Sequence, residues 1–199
     1  MNLLAHAHLG LNHGPTVNTV NVLWDFICRD YLTSDDATIL AGRSLHQEID
    51  RLADQSAFFF ETSKQLSPQR RRAARLLIDL FSDYFLAQHW DRFCEQPLDD
   101  FLERLVPSLQ EEARHMSPRA KLIAQRIEEH NWFQEYQTID GIGLVLRRIS
   151  SRSSPRVQNL LGGAEEELWQ KEAQLTDGFL SFYTELYHSV AVEPLRSEA

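Results

Sequence analysis

The chain has 199 residues, 43% of them apolar and 25% charged, so it can bury a sizeable core and is unlike a disordered chain. Its formal net charge of −9 argues against binding nucleic acid through a phosphate backbone, which needs a cationic surface. Two cysteines, Cys28 and Cys94, give neither a disulfide framework nor a zinc-finger spacing and are expected to be buried free thiols.

The start, Met1-Asn2-Leu3-Leu4, lacks a basic n-region, and no apolar run approaches a membrane span, so a cytoplasmic location is expected. A short helical turn is predicted over about 2–11, before the breakers of Asn12-His13-Gly14-Pro15. A second helix is predicted over 17–30, with Val20, Leu23, Phe26 and Ile27 on one stripe. Thr33 or Ser34 is the expected cap of a helix over 35–62, weakened locally by Gly42.

Ser67-Pro68 reads as a cap followed by proline at the first helical position, opening a helix that carries Leu76, Leu77, Leu80, Phe81 and Phe85. Helices follow over 98–114, 118–134 and 139–151. The stretch 150–163 is the least regular, and a last helix covers 164–190 before a fraying end. Nothing reads as strand. The expectation is one all-α, compact multi-helix domain over 1–199, with seven or so helices.

Within this frame, polar groups recur where an apolar stripe does not need them. His46, Asp50 and Asp54 step by four, so they share one helix face beside Leu45, Ile49 and Leu52. Asp79 and Asp83 repeat the i, i+4 relation beside Leu80 and Phe81, and Asp25 lies between Trp24 and Phe26. Carboxylates gathered without a cation repel one another, and burial raises the cost. Oxygen-rich donors plus an imidazole suit Mn²⁺, Mg²⁺ or Fe²⁺, although the same spacings also occur on solvated faces. His6 and His8, two residues apart on a short helix, point different ways: one can reach a cleft while the other packs. Arg70, Arg71, Arg72 and Arg75 crowd one helix start, and Arg147, Arg148, Arg152 and Arg156 surround the irregular late segment. They are either solvated charge or a surface for phosphate or an acidic protein.

Taken in order, Asn2-Leu3-Leu4-Ala5-His6-Ala7-His8-Leu9, Asn21-Val22-Leu23-Trp24-Asp25-Phe26, Gly42-Arg43-Ser44-Leu45-His46-Gln47-Glu48-Ile49-Asp50 and Leu77 to Leu86 resemble the acyl carrier protein phosphodiesterases, also called acyl carrier protein hydrolases. That family in turn resembles a divergent form of the HD-domain metal phosphohydrolases, so the resemblance implies an HD-domain-like helical variant. It implies hydrolysis of the phosphodiester joining 4'-phosphopantetheine to a serine of holo-acyl carrier protein, usually with Mn²⁺. It places a metal on Asp25, His46, Asp50, Asp79 and Asp83, and gives His6, Asp25 and Asp50 catalytic duties. The implied partner is acyl carrier protein, an acidic substrate that Arg70, Arg71, Arg72, Arg75, Arg147, Arg148 and Arg152 would meet; neither nucleic acid nor membrane is implied.

The sequence departs from the family pattern at Tyr84, where the family's Asp-His pair has its imidazole, and at Val20, Gln47 and Ser56. The Tyr84 change leaves three alternatives open: an altered metal site, a different small phosphodiester or nucleotide as substrate, or a non-catalytic module that binds carrier protein or phosphopantetheine.

Overall fold

The computed structural model describes residues 1–192, and the fraying expected at the carboxyl end lies outside them. Every regular element among the described residues is helical. In chain order these are α1 (Leu3–Leu9), α2 (Pro15–Ile27), α3 (Ala37–Asp54), α4 (Ala57–Gln65), α5 (Ala74–Gln88), α6 (Leu98–Ala113), α7 (Pro118–Glu129), α8 (Trp132–Glu135), α9 (Ile139–Ser150), α10 (Pro155–Leu161) and α11 (Ala164–Val192). No helix among the described residues is long and apolar enough to cross a membrane.

Helix α1 lies at the centre, every residue from Leu3 to Leu9 buried, and packs on α2, α5 and α11. Buried apolar side chains form one continuous cluster from Met1 to Val190. An aromatic group built from Phe58, Phe85, Phe179, Phe182 and Tyr183 joins α4 and α5 to α11. These rings meet tilted, edge-on or stacked at centroid separations of 5.2–5.9 Å, the arrangements that aromatic quadrupoles favour.

Several boundaries differ from the predicted ones, each because a side chain found another partner. The helix expected over 35–62 is two. Asp36, rather than Thr33 or Ser34, caps α3 by accepting from Thr38 N and Ile39 N. Ser56 then stops it: its hydroxyl donates to Ala53 O and accepts from Phe59 N, restarting the chain as α4. Ser67 does not cap α5, because its backbone N–H and hydroxyl both donate to Glu167 of α11. A turn and a 3₁₀ segment, Arg71–Ala73, separate it from the helix proper. The helix predicted over 118–134 breaks at Asn131, whose φ of 48° is left-handed, a conformation asparagine tolerates better than most residues. The irregular stretch after Ser150 contains the short α10, and α2 ends at Ile27 in a 3₁₀ turn.

Candidate metal centre

Two asparagines on α2 organise the site. Asn18 Nδ2 donates to Ala7 O, and Asn21 Nδ2 donates to His6 O and to Asn18 Oδ1. Because Nδ2 is committed to carbonyl oxygens, Asn21 Oδ1 faces His6 Nδ1 at 2.9 Å and must accept from it. His46 Nδ1 donates to the Asn21 backbone oxygen at 2.8 Å. In its neutral form each ring therefore carries its proton on Nδ1 and turns a bare Nε2 toward the same point. The rings stack at a centroid separation of 4.2 Å, 11° from parallel.

Asp50 closes the group. Its Oδ1 lies 3.3 Å from His6 Nε2 and its Oδ2 lies 3.6 Å from His46 Nε2. Asp25 reaches in from the rim, with Oδ1 3.3 Å from His46 Nε2 and a side chain 74% exposed. The Met1 ammonium donates to Asp50 Oδ1 at 3.0 Å and stands 3.0 Å from Asp79 Oδ1, off the hydrogen-bonding direction. Outside, Arg75 bridges Asp50 Oδ2 and Asp54 Oδ2, each at 3.2 Å.

The electrostatics follow from this crowding. Burial lowers the His6 pKa to about 4, helped by the neighbouring His46, so the ring is neutral at pH 7. Burial works against ionising Asp50, but the Met1 ammonium beside it pulls the other way, and the carboxyl is held well below its usual range. The contact with His46 lowers the Asp25 pKa against its partial burial. Burial raises Asp79 despite the ammonium beside it.

These donors fit a divalent cation. One ligand atom from each of His6, His46 and Asp50 lies within 4.8 Å of the others, and His6 Nε2 is buried without a hydrogen-bond partner. Two imidazole lone pairs and a carboxylate facing one another are all acceptors, an arrangement that needs a proton or a cation between them. The mixed nitrogen and oxygen set suits Mn²⁺ or Fe²⁺, and Asp25 can add a fourth ligand from the rim.

The structure separates other predicted site residues from this group. Asp83 is fully buried and accepts from Leu4 N at 2.8 Å and Ala5 N at 3.0 Å. It thus does for α1 what Asn2, which makes no side-chain cap, does not. Burial pushes this carboxyl up to about 7 although the two N–H groups pull the other way. Tyr84 faces away from the site: its hydroxyl donates to Glu172 of α11 at 2.5 Å, so the imidazole lost at this position does not vacate the His6–His46–Asp50 group. His8 is the histidine of the pair that packs, between Tyr183 OH and Phe93 O.

Of the arginines among the described residues, Arg75 alone makes an ion pair with the site. Arg70 is buried against Glu167 and Leu160 O, Arg148 makes a two-pronged pair with Glu135, and Arg147 reaches Glu165. Arg70 and Arg148 are tied into the fold, whereas Arg147, Arg71, Arg72 and Arg152 are exposed. Cys28 and Cys94 are free but only half-buried. Sequence reasoning assigned no role to Asn18, Asn21 or the Met1 amine; the signal was there for the asparagines, two amides three residues apart inside an apolar stripe. A cavity of about 350 Å³ between α4 and α11 lies elsewhere, lined by Phe58, Thr62, Leu175 and Phe182 and by none of the site's side chains.

The model of one family, acyl carrier protein phosphodiesterase, matches residues 1–186. The chain belongs to the acyl carrier protein phosphodiesterase family. Among its relatives, the acyl carrier protein phosphodiesterase of Klebsiella pneumoniae (strain 342) is 31% identical, the match covering 94% of this chain and 95% of the relative. Those of Yersinia pestis and Escherichia coli O157:H7 are each 28% identical, over 92% of this chain and 94% of the relative. No solved structure matches the chain.

Proposed function

We propose that this protein hydrolyses the phosphodiester between 4'-phosphopantetheine and the serine of holo-acyl carrier protein, and that it does so with a divalent cation, Mn²⁺ first among the candidates. Membership of the family supports the substrate. The observation that carries the chemistry is the convergence of two bare Nε2 atoms on Asp50. His6, His46 and Asp50 would hold the cation, with Asp25 at the rim; kinship to HD-domain metal phosphohydrolases belongs to this same reading. When bound, the cation supplies charge for the phosphoryl oxygens and acidifies a water molecule.

The chain's own groups do the rest. Asn21 fixes both tautomers, so the nitrogens facing the substrate accept rather than donate. Asp25, exposed and ionised, is placed to orient the attacking water and take its proton. Arg75, 59% exposed, can leave Asp54 to contact a phosphoryl oxygen as the serine oxygen departs. Arg71 and Arg72, exposed just ahead of it, give an acidic carrier protein a cationic approach despite the net charge of −9.

The test is mass spectrometry of holo-acyl carrier protein incubated with the protein and Mn²⁺, beside Asp50→Ala. Loss of the phosphopantetheine mass with the unaltered protein alone is expected. An unchanged holo mass with folded protein, or equal loss with Asp50→Ala, would refute the reading.

A further inference from the structure

The chain's net charge of −9 is unevenly spread. Residues 62–78 carry Lys64, Arg70, Arg71, Arg72 and Arg75, residues 141–164 carry Arg147, Arg148, Arg152 and Arg156, and neither stretch has an Asp or Glu. Far apart in sequence, the two stretches meet in the fold, where the 3₁₀ segment Arg71–Ala73 packs against α10. Buried Arg70 ties them: its Nη1 donates to Leu160 O at 3.0 Å, while Glu167 takes up its charge through Nε at 2.8 Å. Arg156 stands one helical turn ahead of Leu160 on α10, and Arg152 lies in the turn that leads into that helix.

The fold commits most of these cations to its own carboxylates. Lys64 pairs with Glu61, Arg70 with Glu167, Arg75 with Asp50 and Asp54, Arg147 with Glu165 and Arg148 with Glu135. Arg71, Arg72, Arg152 and Arg156 are exposed and have no carboxylate partner among the described residues. These four lie on or beside the two segments that Arg70 joins. Arginines gathered without counter-charge repel one another, so the cluster is matched to an anionic surface supplied from outside. Its place suits the site, because Ala73 leads directly into α5, whose Arg75 donates to Asp50 Oδ2.

We propose that the 3₁₀ segment Arg71–Ala73 and α10 form one docking face, on which Arg71, Arg72, Arg152 and Arg156 meet an acidic surface of acyl carrier protein. This rests on the proposed function and assigns α10 to it. Arg71 and Arg72 are half of the face; the other half comes from the stretch that reads in the sequence as the least regular of the chain. Exposed guanidinium groups opposite carboxylates steer and orient a partner. The face therefore serves capture of the carrier protein and not the chemical step.

The experiment compares the unaltered protein, in the presence of Mn²⁺, with two double variants of equal charge change. One is Arg152→Ala/Arg156→Ala on the face; the other is Arg119→Ala/Lys121→Ala, exposed on α7, which packs on α2 and α6. Calorimetry with apo-acyl carrier protein reads docking without any phosphodiester to cleave, and mass spectrometry with holo-acyl carrier protein reads kcat and KM. The face variant should bind apo-carrier protein at least about fivefold more weakly at low salt, the gap narrowing as salt screens the charges. Its KM should rise with kcat little changed. The α7 variant should stay within about twofold of the unaltered protein. Equal weakening in both variants overturns the proposal, because only net charge then matters. Unchanged docking in the face variant also overturns it, as does a fall in kcat at constant KM, or an unaltered protein that binds no apo-carrier protein. An unchanged holo mass with the unaltered protein refutes the proposed hydrolysis, while selective loss of apo-carrier binding in the face variant still supports the docking face.

Discussion

Asn21 is uncharged and performs no chemistry, yet it determines which nitrogen of two different histidines faces the site. Its side-chain oxygen accepts from His6 and its backbone oxygen accepts from His46, so one residue fixes both rings. Asn21→Ala removes the first of these bonds and the donor to His6 O, leaving buried polar atoms unpaired at a cost of about 1–3 kcal/mol. The expected result is a lower unfolding midpoint in urea together with Mn²⁺ affinity reduced about 10–100-fold by calorimetry, since second-layer partners of a ligating histidine act on that scale. A variant that loses stability but keeps its Mn²⁺ affinity would show that the asparagine supports the helix and not the ligands. At this scale the sequence is a partial guide. His6, His46, Asp50 and Asp25 were legible as residues of the right chemistry at helical spacings. Asp83 has the same chemistry and spacing, and nothing in the sequence distinguishes a carboxylate aimed at a cation from one aimed at the N–H groups of another helix.

The scale of elements is governed by two close contacts. Helices α2 and α3, which carry Asn21, Asp25, His46 and Asp50, pack closely at Gly42, where an added Cβ would sit 2.5 Å from Val20 Cβ and 2.8 Å from Val17 O. From the sequence, Gly42 reads as a local weakness of a helix; in the fold it is the condition for bringing the two helices that carry the site's side chains together. Gly42→Ala gains helix propensity of about 1 kcal/mol, but it must separate the helices. It is expected to destabilise the protein by about 1–3 kcal/mol and to lower Mn²⁺ affinity, measured by thermal unfolding and calorimetry; a stabilised variant would mean the crossing can relax.

The second contact ties the segment before α5 to α11. Glu167 Oε1 accepts from Ser67 N at 2.6 Å, and its Oε2 accepts from the Ser67 hydroxyl at 2.9 Å and from Arg70 at 2.8 Å. Burial raises the cost of this carboxylate, but the Ser67 bonds and Lys171 outweigh it and lower its pKa. A depressed carboxyl stabilises the fold above its unfolded pKa of about 4.3, and that contribution is lost as the pH falls through the folded value. Glu167→Gln should therefore cost about 1.5–3 kcal/mol at pH 7, with the gap to the unaltered protein closing below about pH 4. Urea unfolding at pH 7, 5 and 3.5 measures this, and a gap independent of pH would mean that the charge contributes nothing beyond the hydrogen bonds.

For the molecule as a whole, the core is what brings distant segments to one site. Met1 and His6 come from the start of the chain, His46 and Asp50 from α3 and Asp79 from α5, and α11 packs behind them through Phe179, which is fully buried among Phe58, Phe85 and Tyr183. Phe179→Ala should cost about 3–5 kcal/mol, or roughly 10 °C of melting temperature at about 2–4 °C per kcal/mol for a chain of this size. A loss under about 1 kcal/mol would show that the aromatic group repacks around the cavity.

The sequence by itself determined that the chain is helical, where its long apolar stripes run, and which chemistry its polar residues can perform, because periodicity and residue type are local properties. It also contained the family pattern. Only the tertiary structure decided that Asp83 serves α1, that Arg70 and Arg148 are bound to glutamates, that Tyr84 turns toward Glu172, and that the amine of Met1 lies between two aspartates. Each of these is a choice among partners separated by tens of residues. Hydrogen-bonding and ionic groups will take whichever complementary group the packing of the core brings within about 3 Å, and that selection is not encoded at any single position.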